Sequence, residues 1–142
     1  MVAIIRKKFI TIIIISLFVV SCSCASAFKG INSEKVDEIS GKLILVSKIA
    51  DGELRYSDNT YSSDELKDVV SRKNKLLYNY FNDFYLGFNI EGKLSSVIVC
   101  DKERKYMIAE DSNCTSKLDK KDSTQSLPCS FTLNLNEICA YK

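Results

Sequence analysis

The chain has 142 residues, 27% of them charged, with 20 Lys and Arg against 18 Asp and Glu, six cysteines and no histidine. The absence of histidine removes Ser-His-Asp and Cys-His nucleophile systems, histidine general bases and the usual mixed metal sites. A formal net charge of +2 gives no ground for nucleic acid or an acidic membrane as partner, because the basic surplus sits at the start of the chain.

That start reads as an export signal. Arg6, Lys7 and Lys8 form a cationic region, and Phe9 to Val20 is an almost unbroken apolar run. The run is shorter than the ~20 residues of a stable membrane-spanning helix. Ala25-Ser26-Ala27 then supplies the small-x-small pattern of a signal peptidase site, with Phe28 as the new N-terminus. Residues 1–27 hold three bases and no acid, so residues 28–142 carry 17 bases against 18 acids, a net charge of −1. They suit one domain, periplasmic or secreted.

A second cut is written in the same stretch. Val19-Val20-Ser21-Cys22 resembles the lipobox of bacterial lipoproteins, whose last residue is the Cys that takes lipid. The resemblance implies a lipid on Cys22 and membrane attachment through it alone. Thiol parity favours release, since cleavage after Ala27 leaves Cys100, Cys114, Cys129 and Cys139, an even set, whereas cleavage before Cys22 leaves Cys24 without a mate.

Along the remaining chain, residues 33–39 could form a short helix with Val36 and Ile39 on one side. Lys42 to Ala50 is apolar and β-branched and ends at Asp51-Gly52, which predicts a hairpin returning through Glu53 to Tyr56. Ser62 with Glu65 forms a capping-box pattern, and Leu66, Val69, Val70, Leu77, Tyr80, Phe81 and Phe84 recur at three- and four-residue steps. One long amphipathic helix running to a stop at Gly87 is expected. Arg72, Lys73 and Lys75 read as a solvated helix face.

Phe88 to Ile90, a turn at Glu91-Gly92 and Lys93 to Cys100 predict a second hairpin, and Lys105 to Ala109 returns after the charged turn Asp101 to Arg104. The loop from Thr115 is polar. Ser130 to Asn136 alternates strictly, predicting a last strand with Phe131, Leu133 and Leu135 inward. The fold class is α+β: a small antiparallel sheet with one long amphipathic helix on a face and two disulfides in the C-terminal third. Four cysteines permit three pairings, and the sequence does not choose between them; the preferred one is Cys114–Cys129 with Cys100–Cys139. No C-x-x-C spacing occurs, so neither a metal nor any cofactor is expected.

The available chemistry is thin. Asp101, Glu103, Glu110 and Asp111 are the acids beside strand ends, and a carboxylate pair could hydrolyse extracellular glycans if held across a cleft. Tyr78 and Tyr85, seven residues apart, would share one flank of the long helix and could anchor a protein interface. The leading expectation is therefore a small exported non-enzymatic binding module, of the inhibitor or immunity type, that acts on a protein partner. The alternatives are an envelope lipoprotein attached through Cys22, with a structural or assembly role, and a carboxylate hydrolase.

Overall fold

A computed structural model describes residues 31–114 and 127–140. The cleavage motifs and Cys22 lie outside these residues. The first element overturns the first predicted hairpin. Helix α1, Ser33–Tyr56, runs unbroken through Asp51-Gly52. Val36, Ile39, Leu43, Val46, Ala50 and Leu54 are all buried, and their three- and four-residue spacing continues across the dipeptide that was read as a turn. Burying that stripe outweighs the local preference of Asp-Gly. Asp51 is fixed inside the helix by the Arg55 guanidinium at 2.9 Å and the Asn113 amide at 3.0 Å.

The capping box stands as the sequence predicts. Ser62 Oγ accepts from the Glu65 backbone N–H at 3.3 Å, and the Glu65 carboxylate accepts from the Ser62 N–H at 2.7 Å. The latter bond, with the Ser62 hydroxyl, holds the Glu65 carboxyl below its ordinary range. The helix that follows is shorter than expected. Helix α2, Ser63–Lys73, stops at Asn74, whose φ of −144° and ψ of 81° are not helical. Asn74 then caps a second short helix, α3, Lys75–Asn79, through its side chain to the Leu77 N–H.

Strand β1, Tyr85–Glu91, pairs antiparallel with β2, Leu94–Cys100, which pairs antiparallel with β3, Met107–Asp111. The order is β1-β2-β3. Glu91 faces Leu94 across the tight turn, where Gly92 takes a φ of +62° that other residues adopt at a cost. Gly87 is no helix stop. It lies in β1 opposite Ile98, where a Cβ would come within 2.9 Å of the Ile98 Cγ2 methyl.

The sheet has two differently covered faces. Val97, Val99, Leu86, Phe88 and Ala109 join the buried stripes of α1 and α2 in one core. On the other side, Ile98, Cys100 and Met107 pack with Leu127 and Cys129, while Leu94 packs with Cys114, Leu135, Ile138 and Cys139. The predicted last strand is not formed. Phe131 is 37% exposed, and Leu135 is buried in a single turn of helix, α4, Leu135–Ile138. Instead of a ladder, the Thr132 and Leu133 N–H groups donate to the Glu110 carboxylate.

Both disulfide pairings differ from expectation: Cys100 joins Cys129, and Cys114 joins Cys139. Residues 127–129 run beside the start of β3, with Met107 N–H donating to Leu127 O at 2.9 Å and Cys129 N–H to Lys105 O at 3.2 Å. This sets Cys129 next to the end of β2. Cys114 lies just beyond β3, at the opposite end of the sheet, beside α4. Spacing along the chain does not contain this geometry.

Candidate interaction surface

The structure distributes the predicted site residues rather than gathering them. Tyr78 is half-buried on α3 and packs against the helix-side core. Burial, and then the Asp68 charge, push its phenol above the ordinary tyrosine value. Tyr85 opens β1 and packs on the other side of the sheet, with the Arg104 guanidinium 4.0 Å from its ring centroid. The shared flank fails because the helix ends at Asn79, and beyond it the helical period no longer relates the two rings.

The four carboxylates have separate settings. Asp101 Oδ1 accepts from the Lys105 N–H at 2.7 Å and the Tyr106 N–H at 2.6 Å, closing the turn between β2 and β3. Glu103 is exposed in that turn. Glu110 is 0% exposed and accepts from Thr132 N–H at 2.9 Å, Thr132 Oγ1 at 2.7 Å and Leu133 N–H at 3.2 Å. Asp111 is the next residue of the strand and therefore points to the opposite face. Among the described residues, neither of the two depressions described below is lined by any of the four. Nor do three or more Cys, Asp or Glu side chains there gather as metal ligands.

What the sequence reading did not find is the outward face of α1. Directly opposite the buried stripe lie Gly41, Leu45, Lys48 and Gly52, flanked by Ile49 and Tyr56. Leu45 is 49% and Tyr56 90% exposed. A Cβ added at Gly41 or Gly52 would meet nothing within 4 Å. Glycine inside a helix is less favourable than alanine by about 1 kcal/mol, and no packing within the described chain requires it here. Exposed apolar bulk and bare backbone thus alternate along one band.

A groove of about 530 Å³ runs beside this band, with Gly52, Ile49 and Tyr56 on the α1 side and Lys73 across from them. Its wall is fixed chemically. The Lys73 ammonium pairs with Glu53, and the Tyr61 hydroxyl donates to the same carboxylate at 2.6 Å. The Lys73 bond first, and the Tyr61 bond second, hold the Glu53 carboxyl below its usual range. A second depression of about 570 Å³ lies between the 58–61 loop and α2, where Asp58, Glu65 and Asp68 face Arg72. It is open and polar, and Asn59, Thr60, Tyr61 and Val69 complete its lining.

The signal for the α1 face was present in the sequence. The apolar period that opens at Val36 and Ile39 continues to Leu54, and following it through Asp51-Gly52 yields both faces at once. No known protein family matches the chain, nor does any curated protein or any solved structure. Two formed disulfides fit an oxidising, non-cytoplasmic location. Among the described residues, no helix is long and apolar enough to cross a membrane.

Proposed function

We propose that the protein is an exported, non-enzymatic binding module, released after Ala27 into the periplasm or the medium, that acts on a protein partner through the outward face of α1. One observation supports this most: Tyr56, 90% exposed, and Leu45, 49% exposed, stand on a helix face that also carries Gly41 and Gly52, with Lys48 and Ile49 between the two large side chains. Large apolar side chains held in water by a rigid helix are the usual anchors of protein interfaces. The inhibitor or immunity class is consistent with the small size and the disulfides. The interface moves from Tyr78 and Tyr85, which pack on opposite sides of the sheet, to Tyr56 and Leu45. The hydrolase reading loses support, since Asp101 and Glu110 already accept hydrogen bonds that hold the backbone.

The test is site-specific photo-crosslinking in the producing cell, with benzoyl-phenylalanine in place of Tyr56 or Leu45 and, as control, of the exposed turn residue Glu103. Adducts of higher mass at 56 and 45, and none at 103, are expected. Absence of adducts at both α1 positions overturns the reading. Mass spectrometry of the mature N-terminus is expected to find Phe28; lipid on Cys22 would instead make the protein a tethered one.

A further inference from the structure

The two cystines are not equally open to attack. A thiolate that enters a disulfide must reach one of its sulfurs, so access to the struck atom sets the rate. Cys100 is fully buried at the end of β2, whereas its partner Cys129 is half-buried between exposed Pro128 and Ser130. Cys114 and Cys139 are both buried, with Leu94, Leu135 and Ile138 packed around them. The Cys100–Cys129 bond therefore offers the more open sulfur, on the Cys129 side.

What each bond fastens differs as well. Residues 127–129 are bound to the start of β3 by two backbone hydrogen bonds, Met107 N–H to Leu127 O and Cys129 N–H to Lys105 O. Residues 132–139 are held, besides their own cystine, by the Glu110 carboxylate and by the burial of Leu135. Breaking Cys100–Cys129 thus frees a short edge segment and leaves the rest of the cover in place.

Charge favours exchange at the same corner. Tyr85 lies directly across the ladder from Cys100 and packs in one cluster with both cysteines, and the Arg104 guanidinium rests 4.0 Å from its ring centroid. Of the other charges in that turn, Lys102 lies 4.0 Å from the Asp83 carboxylate. The Asp101 carboxylate accepts from the Lys105 and Tyr106 N–H groups, and Glu103 and Lys105 are exposed. Arg104 is placed to draw in a thiolate and to balance the charge that appears on the departing sulfur.

We infer that Cys100–Cys129 is a thiol-exchange site, opened by a dithiol reductant while Cys114–Cys139 stays closed. One thiolate of the dithiol attacks Cys129 Sγ, the Sγ–Sγ bond breaks, and Cys100 leaves as a thiolate that takes up a proton. The second thiol of the reductant, having lost its proton, attacks the mixed disulfide and displaces Cys129, which is protonated in turn. Two electrons pass from the dithiol, which ends as a disulfide, to the cystine. In the product, Met107 N–H and Lys105 C=O lose their partners in residues 127–129. The chain thereby carries a strand edge that redox state bares or closes.

The test is reduction of the disulfide-intact chain by dithiothreitol without denaturant, with timed iodoacetamide quenches and mass spectrometry of each cysteine peptide. Cys100 and Cys129 are expected to be alkylated about tenfold faster than Cys114 and Cys139. Hydrogen exchange is expected to rise at Met107 and Cys129 while Thr132 and Leu133 keep their protection. With glutathione as the probe, the mixed disulfide is expected on Cys129. Arg104→Gln is expected to slow opening about threefold at low salt and to have no effect at about 1 M KCl. Equal opening rates, or Cys114–Cys139 opening first, overturn the inference. A glutathione adduct on Cys100 overturns the direction of attack, an Arg104→Gln rate unchanged at low salt overturns the part given to that cation, and loss of protection throughout residues 127–139 overturns the local release.

Discussion

The two faces of the sheet are closed by different physics. On one, α1 and α2 bring regular apolar stripes, and the cover is held mainly by packing, with Ile39, Leu43, Leu66 and Val97 fully buried and the Asp51–Asn113 bond at its edge. On the other, residues 127–140 form only a bridge at Pro128 and one turn of helix. A segment with so little repeating structure has few backbone bonds of its own, so it is fastened by two disulfides and by the Glu110 carboxylate. The lesson is that a face without periodic secondary structure needs discrete fasteners where a helix needs only a stripe.

That contrast can be broken by experiment. Leu43→Ala, on the packed face, is expected to cost about 4 kcal/mol and to unfold both covers together in denaturant titrations. Replacing Cys114 and Cys139 by Ser opens a crosslink of sequence separation 25 and is expected to cost about 3.5 kcal/mol. Its signature is local: hydrogen exchange speeds up first at the amides of residues 132–139, while those of α1 remain protected. If α1 loses protection in step, the two faces are not separate units.

Glu110→Gln removes a charged acceptor from three donors and is expected to cost about 2 kcal/mol, again with faster exchange at Thr132 and Leu133. The smallest effect is a pH dependence on the helix side. Because the Glu53 carboxyl lies lower in the folded chain than in the unfolded one, its contribution is present above the ordinary carboxylate value and is lost as pH falls through the folded value. Acid titration of thermal stability should therefore show a steeper acid limb in wild type than in Glu53→Gln.

Local signals were the readable part of this sequence. The Ser62–Glu65 cap and the β1–β2 hairpin are decided by residues within a few positions of one another, and both stand as expected. Asp51-Gly52 was misleading for the converse reason. Its turn preference is local, whereas the burial of Ala50 and Leu54 against the sheet and the Asp51–Asn113 bond are tertiary. The alternation from Phe131 to Leu135 likewise lacked a partner strand, because β3 presents Glu110 there as the acceptor. The face of α1 could be recognised only after the helix itself, since a hairpin would have scattered Gly41, Leu45, Gly52 and Tyr56.

The crosslinks are interleaved: Cys114 falls within the span closed by Cys100 and Cys129, and Cys129 within that closed by Cys114 and Cys139. A protease that nicks the backbone once anywhere between 114 and 129 thus leaves two fragments still tethered to each other through both cystines. They would migrate as one species on a gel until a reductant is added, so a chain of this design can survive such a cut without shedding its C-terminal piece.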